Sequence, residues 1–377
     1  MKKHNEVDTN SRQKPKHAVF REILRSNIVD KGIWRPGEKI PPERNLQTQY
    51  GISRNTVRKA ISDLEDDGYL FSEVGRGTFV NSASLWGTSK KLLKSKLIGL
   101  IITDVKHDFG KKIVKGAEDL LHKRGYALVL CQDNYDIAKT DKYIAMLMDS
   151  DVRGVILDPV LSANFIADNK RLVEKLDSAG IPVVLIDRDI PTVKKSLVST
   201  NNQEITCKAA EYLIDNGHTS IVVVRQDGFM MDTRIRGIED AYKNHGIPLA
   251  RLKTINIQPS DELGPDISLT AEKIASVGKS ATAIISLSEY LGKVTYRALG
   301  KLKKRIPDDI SFITFDHPED SSFEEGRITF IEQPAVQMGH KAADMIVNLI
   351  ESRVQEVTTV RLRSKLVIRQ SVIAVSA

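Results

Sequence analysis

The feature that most constrains the fold is a regular alternation of two kinds of segment that begins near Leu97. Short, uniformly aliphatic runs alternate with longer amphipathic stretches. Strands that are apolar on both faces and separated by helices are typical of parallel sheets covered by helices on both sides. The alternation predicts strands at Leu97–Ile102, Ala127–Cys131, Gly154–Leu157, Pro182–Ile186, Ser220–Val224, Ala281–Ser286 and Ser311–Phe315. It predicts helices at Lys111–Arg124, Lys139–Asp149, Asn169–Ala179, Gln203–Asn216, Thr233–His245 and Tyr290–Leu302. Such an α/β chain folds into two doubly wound lobes, with a ligand at the carboxyl ends of the strands.

The N-terminal part carries a different pattern, centred on residues 51–60. Ser53 predicts the start of a helix, because its hydroxyl can accept a hydrogen bond from a free backbone amide. At about 3.6 residues per turn, the apolar residues of this helix fall on one side, namely Val57, Ala60, Ile61 and Leu64. Polar and basic residues fall on the opposite side, namely Arg54, Asn55, Arg58 and Lys59. A basic face of this kind is either solvated or placed to contact nucleic acid.

The segments on either side of this helix favour the nucleic-acid interpretation. Pro36-Gly37 marks a turn, and Pro41–Arg44 opens a short helix with prolines in its first turn, where a missing N–H is tolerated. Gly68–Phe71 and Thr78–Val80 predict the two strands of a hairpin. The tip of that hairpin carries Gly75-Arg76-Gly77, an arginine between two glycines.

Together these elements predict a winged helix-turn-helix over about residues 18–80. The stretch resembles the DNA-binding domain of the GntR family of bacterial regulators. The resemblance rests on three motifs in the same order, PGEKIPPER at Pro36–Arg44, SRNTVR at Ser53–Arg58 and GRGTFV at Gly75–Val80.

The resemblance implies double-stranded operator DNA as a partner. Arg54 and Arg58 are expected to reach bases or phosphates in the major groove, and Arg76 to place the wing in the minor groove. The predicted DNA-contacting residues are Arg44, Ser53, Arg54, Asn55, Thr56, Arg58, Lys59, Gly75, Arg76 and Gly77. The charge distribution agrees, because residues 1–96 carry 19 Lys and Arg against 11 Asp and Glu, whereas the rest of the chain carries 37 against 38.

Several motifs of the larger part also occur in a fixed order. They are Lys96–Ile101, Gly180–Arg188, Ala210–His218, Arg234–Gly237, Ile306–Ser311, Phe315-Asp316 and Leu366–Ser371. In this order they resemble the effector domain of the LacI/GalR repressors and of their relatives, the periplasmic sugar-binding proteins. The resemblance implies a type I periplasmic-binding-protein-like fold. A GntR-type domain joined to such an effector domain resembles the arabinose repressor branch.

The pattern changes divide the 377 residues into segments, as expected for a chain too long for one hydrophobic core. We predict a disordered basic tail at 1–15, the winged helix-turn-helix at 16–80, a Ser- and Lys-rich linker at 81–96 and the effector and dimerisation domain at 97–377. The first lobe is predicted at about 97–190 and 334–356, and the second at about 191–333 and 357–377.

Polar groups stand where several predicted strands end. Asp187 and Arg188 follow one strand directly, and Asp316 follows another. Matching residues in the sugar-binding relatives, including those at Arg234 and Gln333, bind sugar hydroxyls, which are both donors and acceptors. An aromatic ring often stacks on the sugar at the position of Phe109. The predicted ligand-binding residues are Phe109, Asp187, Arg188, Arg234, Ser288, Glu289, Asp316 and Gln333.

Each of these residues also has a purely structural interpretation. Asp187 and Arg188 form a structural ion pair in that case, Arg234 lies on a helix surface, Asp316 caps a turn and Phe109 packs within a lobe. The family pattern has asparagine and then aspartate where this chain has Ser288-Glu289, so we expect different hydrogen bonds to the sugar there. Lys111 or Lys112 near the site is the reason to keep a phosphorylated or acidic sugar as an alternative.

Other classes of protein are disfavoured. The two cysteines, Cys131 and Cys207, exclude a disulfide framework, and no second histidine or cysteine accompanies His218 at metal-ligand spacing. The polar N-terminus lacks a secretory signal, and no apolar run is long enough for a membrane span, so we expect a cytoplasmic protein. Nucleotide-binding glycine loops and hydrolase motifs are absent from the sequence, so we expect neither an enzyme nor a cofactor.

These observations predict a ligand-responsive transcription factor. We expect a repressor of carbohydrate-utilisation genes that binds a monosaccharide, and an activator is the alternative. A homodimer would place two winged domains on a pseudo-palindromic operator.

Overall fold

The computed structural model of the protein describes residues 15–73, 75–83, 86–87, 96–227, 229–257, 267–277, 280–316, 327–352 and 356–375. The predicted tail lies outside these residues except for Pro15, and so does most of the predicted linker. The chain falls into two compact units, one formed largely by residues before Leu97 and one that contains two large sheets.

The first unit is the predicted winged helix-turn-helix. It consists of α1 (Lys16–Val29), α2 (Glu43–Tyr50), α3 (Arg54–Asp66), β1 (Leu70–Glu73) and β2 (Gly77–Val80). The two strands form an antiparallel hairpin with Leu70 opposite Val80. The apolar side of α3 is buried as predicted, in a core made of Phe20, Leu24, Ile28, Ile40, Leu46, Val57, Ala60, Ile61, Leu64, Leu70 and Val80.

The turn between α2 and α3 is fixed by local chemistry. Gly51 ends α2 with φ +64°, a left-handed conformation that a residue without a Cβ adopts readily. Ser53 caps α3, because its Oγ accepts a hydrogen bond of 3.2 Å from the backbone N–H of Thr56. Helix α3 therefore begins where the sequence predicts.

The second unit contains two six-stranded sheets. The first consists of β3 (Leu97–Ile102), β4 (Ala127–Gln132), β5 (Gly154–Leu157), β6 (Val183–Ile186), β7 (Ser196–Thr200) and β13 (Thr359–Leu362), in the order β13-β7-β6-β5-β3-β4. The second consists of β8 (Ile221–Arg225), β9 (Leu252–Asn256), β10 (Ala283–Ser286), β11 (Ser311–Phe315), β12 (Thr329–Glu332) and β14 (Lys365–Val367), in the order β14-β12-β11-β10-β8-β9. Neighbouring strands are parallel except for β14, which is antiparallel to β12. The predicted α/β fold class is thus confirmed.

Helices accompany both sheets. The first lobe has α4 (Asp108–Lys123), α5 (Ile137–Asp149), α6 (Phe165–Ser178) and α11 (Ala335–Ser352). The second has α7 (Asn202–Asp215), α8 (Phe229–Asn244), α9 (Ile267–Val277), α10 (Glu289–Lys301) and a 3-10 turn at Leu249–Arg251. Helices α4 and α11 approach closely at Gly116. A Cβ on this residue would lie only 2.0 Å from the carbonyl oxygen of Val336, so the approach requires glycine here.

The boundaries between the lobes differ from the prediction. Strands β7 and β13 pair with each other in the first sheet, although residues 191–333 and 357–377 were both assigned to the second lobe. The chain therefore crosses between the lobes after Thr200, after Glu332 and after Leu362. Strand β7 contains serine and threonine, and β13 alternates exposed and half-buried residues, so neither shows the aliphatic run of an interior strand.

Candidate functional site

A cavity of about 450 Å³ lies where the carboxyl ends of strands from both sheets face each other. Residues of the first lobe and residues of the second lobe line it together. All the predicted ligand-binding residues are among them, namely Phe109, Asp187, Arg188, Arg234, Ser288, Glu289, Asp316 and Gln333. Residues far apart in the chain thus line one cavity.

Arg188 is held by the first lobe. Its Nη1 donates to Asp158 Oδ1 at 2.5 Å, to Thr103 Oγ1 at 3.2 Å and to the carbonyl oxygen of Pro159 at 3.1 Å. Thr103 in turn donates from Oγ1 to the other oxygen of Asp158 at 3.0 Å. Burial raises the pKa of the Asp158 carboxyl, although the charge of Arg188 pulls it down. The network fixes the guanidinium at the cavity wall before any ligand arrives.

Asp187 combines a left-handed backbone conformation with one carboxylate oxygen that accepts no hydrogen bond from the described residues, and both features point to ligand contact. It follows β6 with φ +66°, and its backbone N–H donates to the carbonyl oxygen of Val198 at 2.8 Å. Its Oδ2 lies 3.7 Å from Arg188 Nε. Its Oδ1 is buried and accepts no hydrogen bond from the described residues. A buried carboxylate oxygen without a donor is unfavourable, so the position is suited to a ligand hydroxyl.

Arg234 is buried in the second lobe rather than exposed on a helix surface. Its Nε donates to Asn202 Oδ1 at 2.8 Å, its Nη2 donates to Gln333 Oε1 at 3.3 Å, and its Nη1 donates to the carbonyl oxygen of Leu287. The guanidinium carbon lies 3.6 Å from the centroid of the Phe315 ring, a cation–π contact. Burial lowers the pKa of Arg234 to about 10, so it remains charged at neutral pH.

Asp316 occupies the place in the second lobe that Asp187 occupies in the first. It follows β11 with φ +51°, and its backbone N–H donates to the carbonyl oxygen of Ile331 at 2.8 Å. Gln333 donates to its two oxygens, from Nε2 at 2.7 Å and from the backbone N–H at 3.2 Å. Burial raises the pKa of Asp316 to about 6, against the effect of these hydrogen bonds. Each lobe therefore presents an aspartate in the left-handed conformation just past a strand.

The two residues that depart from the family pattern have separate roles. Ser288 caps α10, since its Oγ accepts from the backbone N–H of Leu291 at 3.2 Å. Glu289 is 5% exposed, and its Oε1 lies 3.1 Å from Lys293 Nζ. Its Oε2 is buried and accepts no hydrogen bond from the described part of the chain. Phe109 lines the cavity and also packs against the core of the first lobe, so both interpretations of this residue apply.

Other lining residues were missed by sequence reasoning. Thr103 and Asp158 directly follow β3 and β5, so the signal that identified Asp187 also applied to them. His107 and Tyr135 lie farther along loops, where no sequence pattern marks them. Their place in the cavity depends on how the loops fold.

The predicted DNA-contacting side of α3 faces solvent. The side chains of Arg54 and Arg58 are 67% and 62% exposed. Both contact the same residue of α2, because Arg54 Nε lies 3.4 Å from Glu43 Oε2 and Arg58 Nε lies 3.3 Å from Glu43 Oε1. Lys59 pairs with Asp63 at 2.8 Å. Glu43 thus holds the two arginines side by side on one surface.

The remaining predicted contacts lie around this surface or on the hairpin. Arg44 and Asn55 are exposed, and the Oγ atoms of Ser53 and Thr56 lie 2.8 Å apart within the helix cap. Gly75 and Gly77 have φ +77° and +120°, and Arg76 between them contacts Glu73. The side chain of Arg76 is 72% exposed, with its guanidinium carbon 5.8 Å from the Phe79 ring centroid.

Two further observations concern other kinds of site. Across the described residues, no three His, Cys, Asp or Glu side chains are grouped so that they could hold a metal ion. Of the helices in the described ranges, none combines the length and the apolar character needed to cross a membrane.

Comparison with known proteins identifies both parts of the chain. The model of the gntR family of bacterial regulatory proteins matches residues 19–80. Models of a periplasmic binding protein domain and of a periplasmic binding protein-like domain match residues 98–283 and 210–372. These matches confirm the resemblances that the motifs predicted.

Relatives match along nearly the whole length. The arabinose metabolism transcriptional repressor of Geobacillus stearothermophilus is 27% identical over 95% of this chain and 97% of its own. The repressor of the same name from Halalkalibacterium halodurans is 25% identical over 89% of each chain. The structure of a LacI family transcriptional regulator from Enterococcus faecium with bound ribose is 25% identical, with a TM-score of 0.64, over 74% of this chain and 100% of its own. The chain thus unites a DNA-binding domain of the gntR family with a LacI-type, periplasmic-binding-protein-like domain, and it is a transcriptional regulator related to the arabinose metabolism repressors.

Proposed function

We propose that the protein is a sequence-specific repressor of carbohydrate-utilisation genes, whose operator affinity changes when a monosaccharide binds between its two lobes. The observation that carries this proposal is the pair of buried carboxylate oxygens, Asp187 Oδ1 and Glu289 Oε2, that accept no hydrogen bond from the described residues. They belong to opposite lobes and line the same cavity. A ligand with hydroxyl donors on two sides would satisfy both.

The rest of the lining also fits a sugar. Arg188 and Arg234 present N–H donors from fixed positions, and Phe109 and Met231 provide apolar surface. A sugar ring has hydroxyls at its edge and C–H groups on its faces, so it needs this mixture. Pentoses are the first candidates, because a relative with bound ribose and two relatives named for arabinose metabolism share this architecture.

The charge of the cavity favours a neutral sugar over a phosphorylated or acidic one. Carboxylates in the lining outnumber cations, with Asp104, Asp158, Asp187, Asp227, Glu289 and Asp316 on one side and Lys106, Arg188, Arg234 and, when protonated, His107 on the other. Both arginines already donate to protein oxygens. Lys111, one basis for the acidic alternative, pairs with Asp108 at 3.0 Å, and among described residues neither Lys111 nor Lys112 lines the cavity.

Binding between two lobes provides a means of control. A ligand that touches both lobes binds the closed form more tightly than the open form, so it shifts the population toward closure. Operator affinity then changes by the coupling free energy between the two sites. We propose that α3 enters the major groove, that the β1–β2 wing enters the minor groove, and that a homodimer reads a pseudo-palindromic operator.

A thermal-shift screen tests the ligand half of the proposal. We expect one neutral pentose, deoxyhexose or hexose to raise the melting temperature of the full-length protein, and its phosphate ester to have little effect. At a hundredfold excess over Kd, binding adds about 2.7 kcal/mol, which raises Tm by about 5–10 °C. The proposal is contradicted if every neutral sugar in the panel leaves Tm unchanged.

Arg76→Ala tests the wing. Losing one phosphate or minor-groove contact should weaken operator binding about five- to tenfold at about 0.1 M salt, and reduce the slope of log K against log salt by about one. Fluorescence anisotropy over a salt series measures both quantities. Arg305→Ala is the matched control, because it removes an exposed, ion-paired arginine of the second unit. An Arg76→Ala slope equal to that of the control would show that the wing does not contact DNA.

A further inference from the structure

His107 lies within ion-pair distance of Glu289 in the other lobe, although its buried Nδ1 makes no hydrogen bond to the described residues. His107 lies in the loop between β3 and α4 of the first lobe, and Glu289 is the first residue of α10 in the second. Their Nδ1 and Oε1 atoms are 3.5 Å apart. The ring of Tyr290, also on α10, meets the His107 ring edge-on, with centroids 6.5 Å apart and planes at 73°. The loop and the helix therefore touch across the cleft.

The two carboxylate oxygens of Glu289 have different surroundings. Oε1 contacts His107 and Lys293. Oε2 is buried at the cavity wall and has no donor within the described residues. Whatever fixes Oε1 also fixes the direction of Oε2. A rotation of the carboxylate away from His107 would remove the acceptor that we assign to a sugar hydroxyl.

The charges around His107 favour its protonated form. The side chain of Asp104 lies on the same loop, where its Oδ1 accepts from the His107 backbone N–H at 3.3 Å. The contact with Glu289 is the main cause that raises the pKa of His107, Asp104 adds to it, and burial and Lys293 oppose it. Burial alone would raise the pKa of Glu289, but the contacts with His107 and Lys293 outweigh it, so that pKa is lowered. Lys106 is the other nearby cation of the loop and also lines the cavity.

We propose that His107 is a positioning residue of the effector site, which holds Glu289 from across the cleft so that Oε2 is presented to the sugar only when the lobes have closed. The inference rests on the proposed sugar-binding function of the same cavity. It assigns His107 a role through Glu289 and not as a sugar ligand. It also makes closure part of recognition, because the acceptor on the second lobe is oriented by the first.

The proposal has a definite pH dependence. When the cleft opens, His107 loses Glu289, and its pKa returns toward the ordinary value of about 6.5. The raised pKa in the closed form means that the contribution to closure is complete below the open-form pKa and is lost as pH rises through the closed-form pKa. Sugar affinity should therefore fall as pH rises from about 6.5 through the raised pKa of His107 in the closed form.

An NMR titration of the full-length protein tests the contact, first without sugar and then with arabinose or ribose. Histidine rings are labelled with carbon-13, and His107→Gln identifies the His107 signal. We expect the titration midpoint of His107 to be lower in Glu289→Gln than in the wild type, because the partner charge is removed. Identical midpoints in the two proteins, both alone and in the presence of arabinose or ribose, would overturn the proposed contact.

Calorimetric titration with arabinose and with ribose tests the effect on binding. His107→Gln should bind the sugar about fivefold more weakly than the wild type near pH 6.5. Its affinity should then change little up to about pH 8.5, whereas that of the wild type falls. The control His122→Gln changes an exposed histidine near the end of α4 and should match the wild type. His107→Lys, which stays charged, should bind more tightly than the wild type at the upper pH.

The outcomes separate the two proposals. If His107→Gln keeps both the affinity and the pH slope of His122→Gln, the positioning role is wrong and the sugar site stands. If neither these two sugars nor any other neutral sugar binds the wild type, the proposed function is wrong, and the NMR midpoints alone decide whether His107 and Glu289 interact.

Discussion

Arg58→Ala should weaken operator binding at least tenfold while leaving sugar affinity unchanged. Arg58 lies on the exposed side of α3, where a guanidinium can reach a base edge or a phosphate, and a lost bidentate base contact is worth about 1–3 kcal/mol. In the free protein its Nε contacts only the partly exposed carboxylate of Glu43 among the described partners. Anisotropy titration of an operator selected from a random-sequence pool, at one fixed salt concentration, measures the change.

Two controls make this result specific. Arg305→Ala removes the same charge from an exposed position of the second unit, so it should leave operator affinity near that of the wild type. The melting temperature of Arg58→Ala should also stay close to that of the wild type, because the side chain is 62% exposed. Undiminished operator binding by Arg58→Ala would remove the argument that α3 reads DNA.

Asp187→Asn should reduce sugar affinity about 10- to 100-fold and remove most of the operator response to sugar, because a hydrogen bond to a charged group is worth about 1.5–3 kcal/mol. Asparagine tolerates the left-handed backbone at φ +66° and has the same shape, so the loop is retained. Operator affinity without sugar should be unaffected. Calorimetry measures the sugar affinity, and fluorescence anisotropy measures the operator affinity, on the same preparation.

Asp189→Asn is the matched control for this substitution. Asp189 lies two residues farther along the same loop, is half-buried and does not line the cavity. The Asp189→Asn variant should bind the sugar as tightly as the wild type does. If Asp187→Asn and Asp189→Asn have equal affinities, the unpartnered oxygen of Asp187 is not a sugar acceptor.

Most interior strands of the sheets were predictable because both of their faces are buried, but the alternation of aliphatic runs did not predict β7 or β12. Strands such as β3, β5 and β6 are continuous aliphatic runs, and the sequence places them to within about two residues. Strand β9 lies at the edge of the second sheet with exposed Lys253 and Thr254, and β14 is three residues long. These two edge strands are short or keep polar residues on an open side, so their sequences do not stand out from those of loops. The errors in the lobe boundaries come instead from β7, an interior strand with two serines and a threonine, and from the edge strand β13, which were both assigned to the second lobe.

The cavity was predictable where a strand ends in a polar residue. The carboxyl ends of neighbouring parallel strands lie at one edge of a sheet, which brings Asp187 and Asp158 together although they are 29 positions apart. The ion pair of His107 with Glu289 follows no such rule. It depends on the distance between two lobes, which is set by three crossover segments and has no signal in the sequence near either residue.

Gln333 follows β12 at one of the crossovers, where its Oε1 receives Thr200 Oγ1 from the end of β7 at 3.4 Å and Arg234 from the second lobe at 3.3 Å. A side chain beside the pivot of a hinge is displaced little as the two halves swing, whereas one at the outer edge travels far. An incoming sugar would thus make its contacts in two steps. Gln333 and its neighbours near the hinge can contact it in both the open and the closed form, whereas residues farther from the hinge contact it only after closure. Only a molecule that binds well near the hinge would go on to stabilise the closed form, and closure is the step that would change operator affinity.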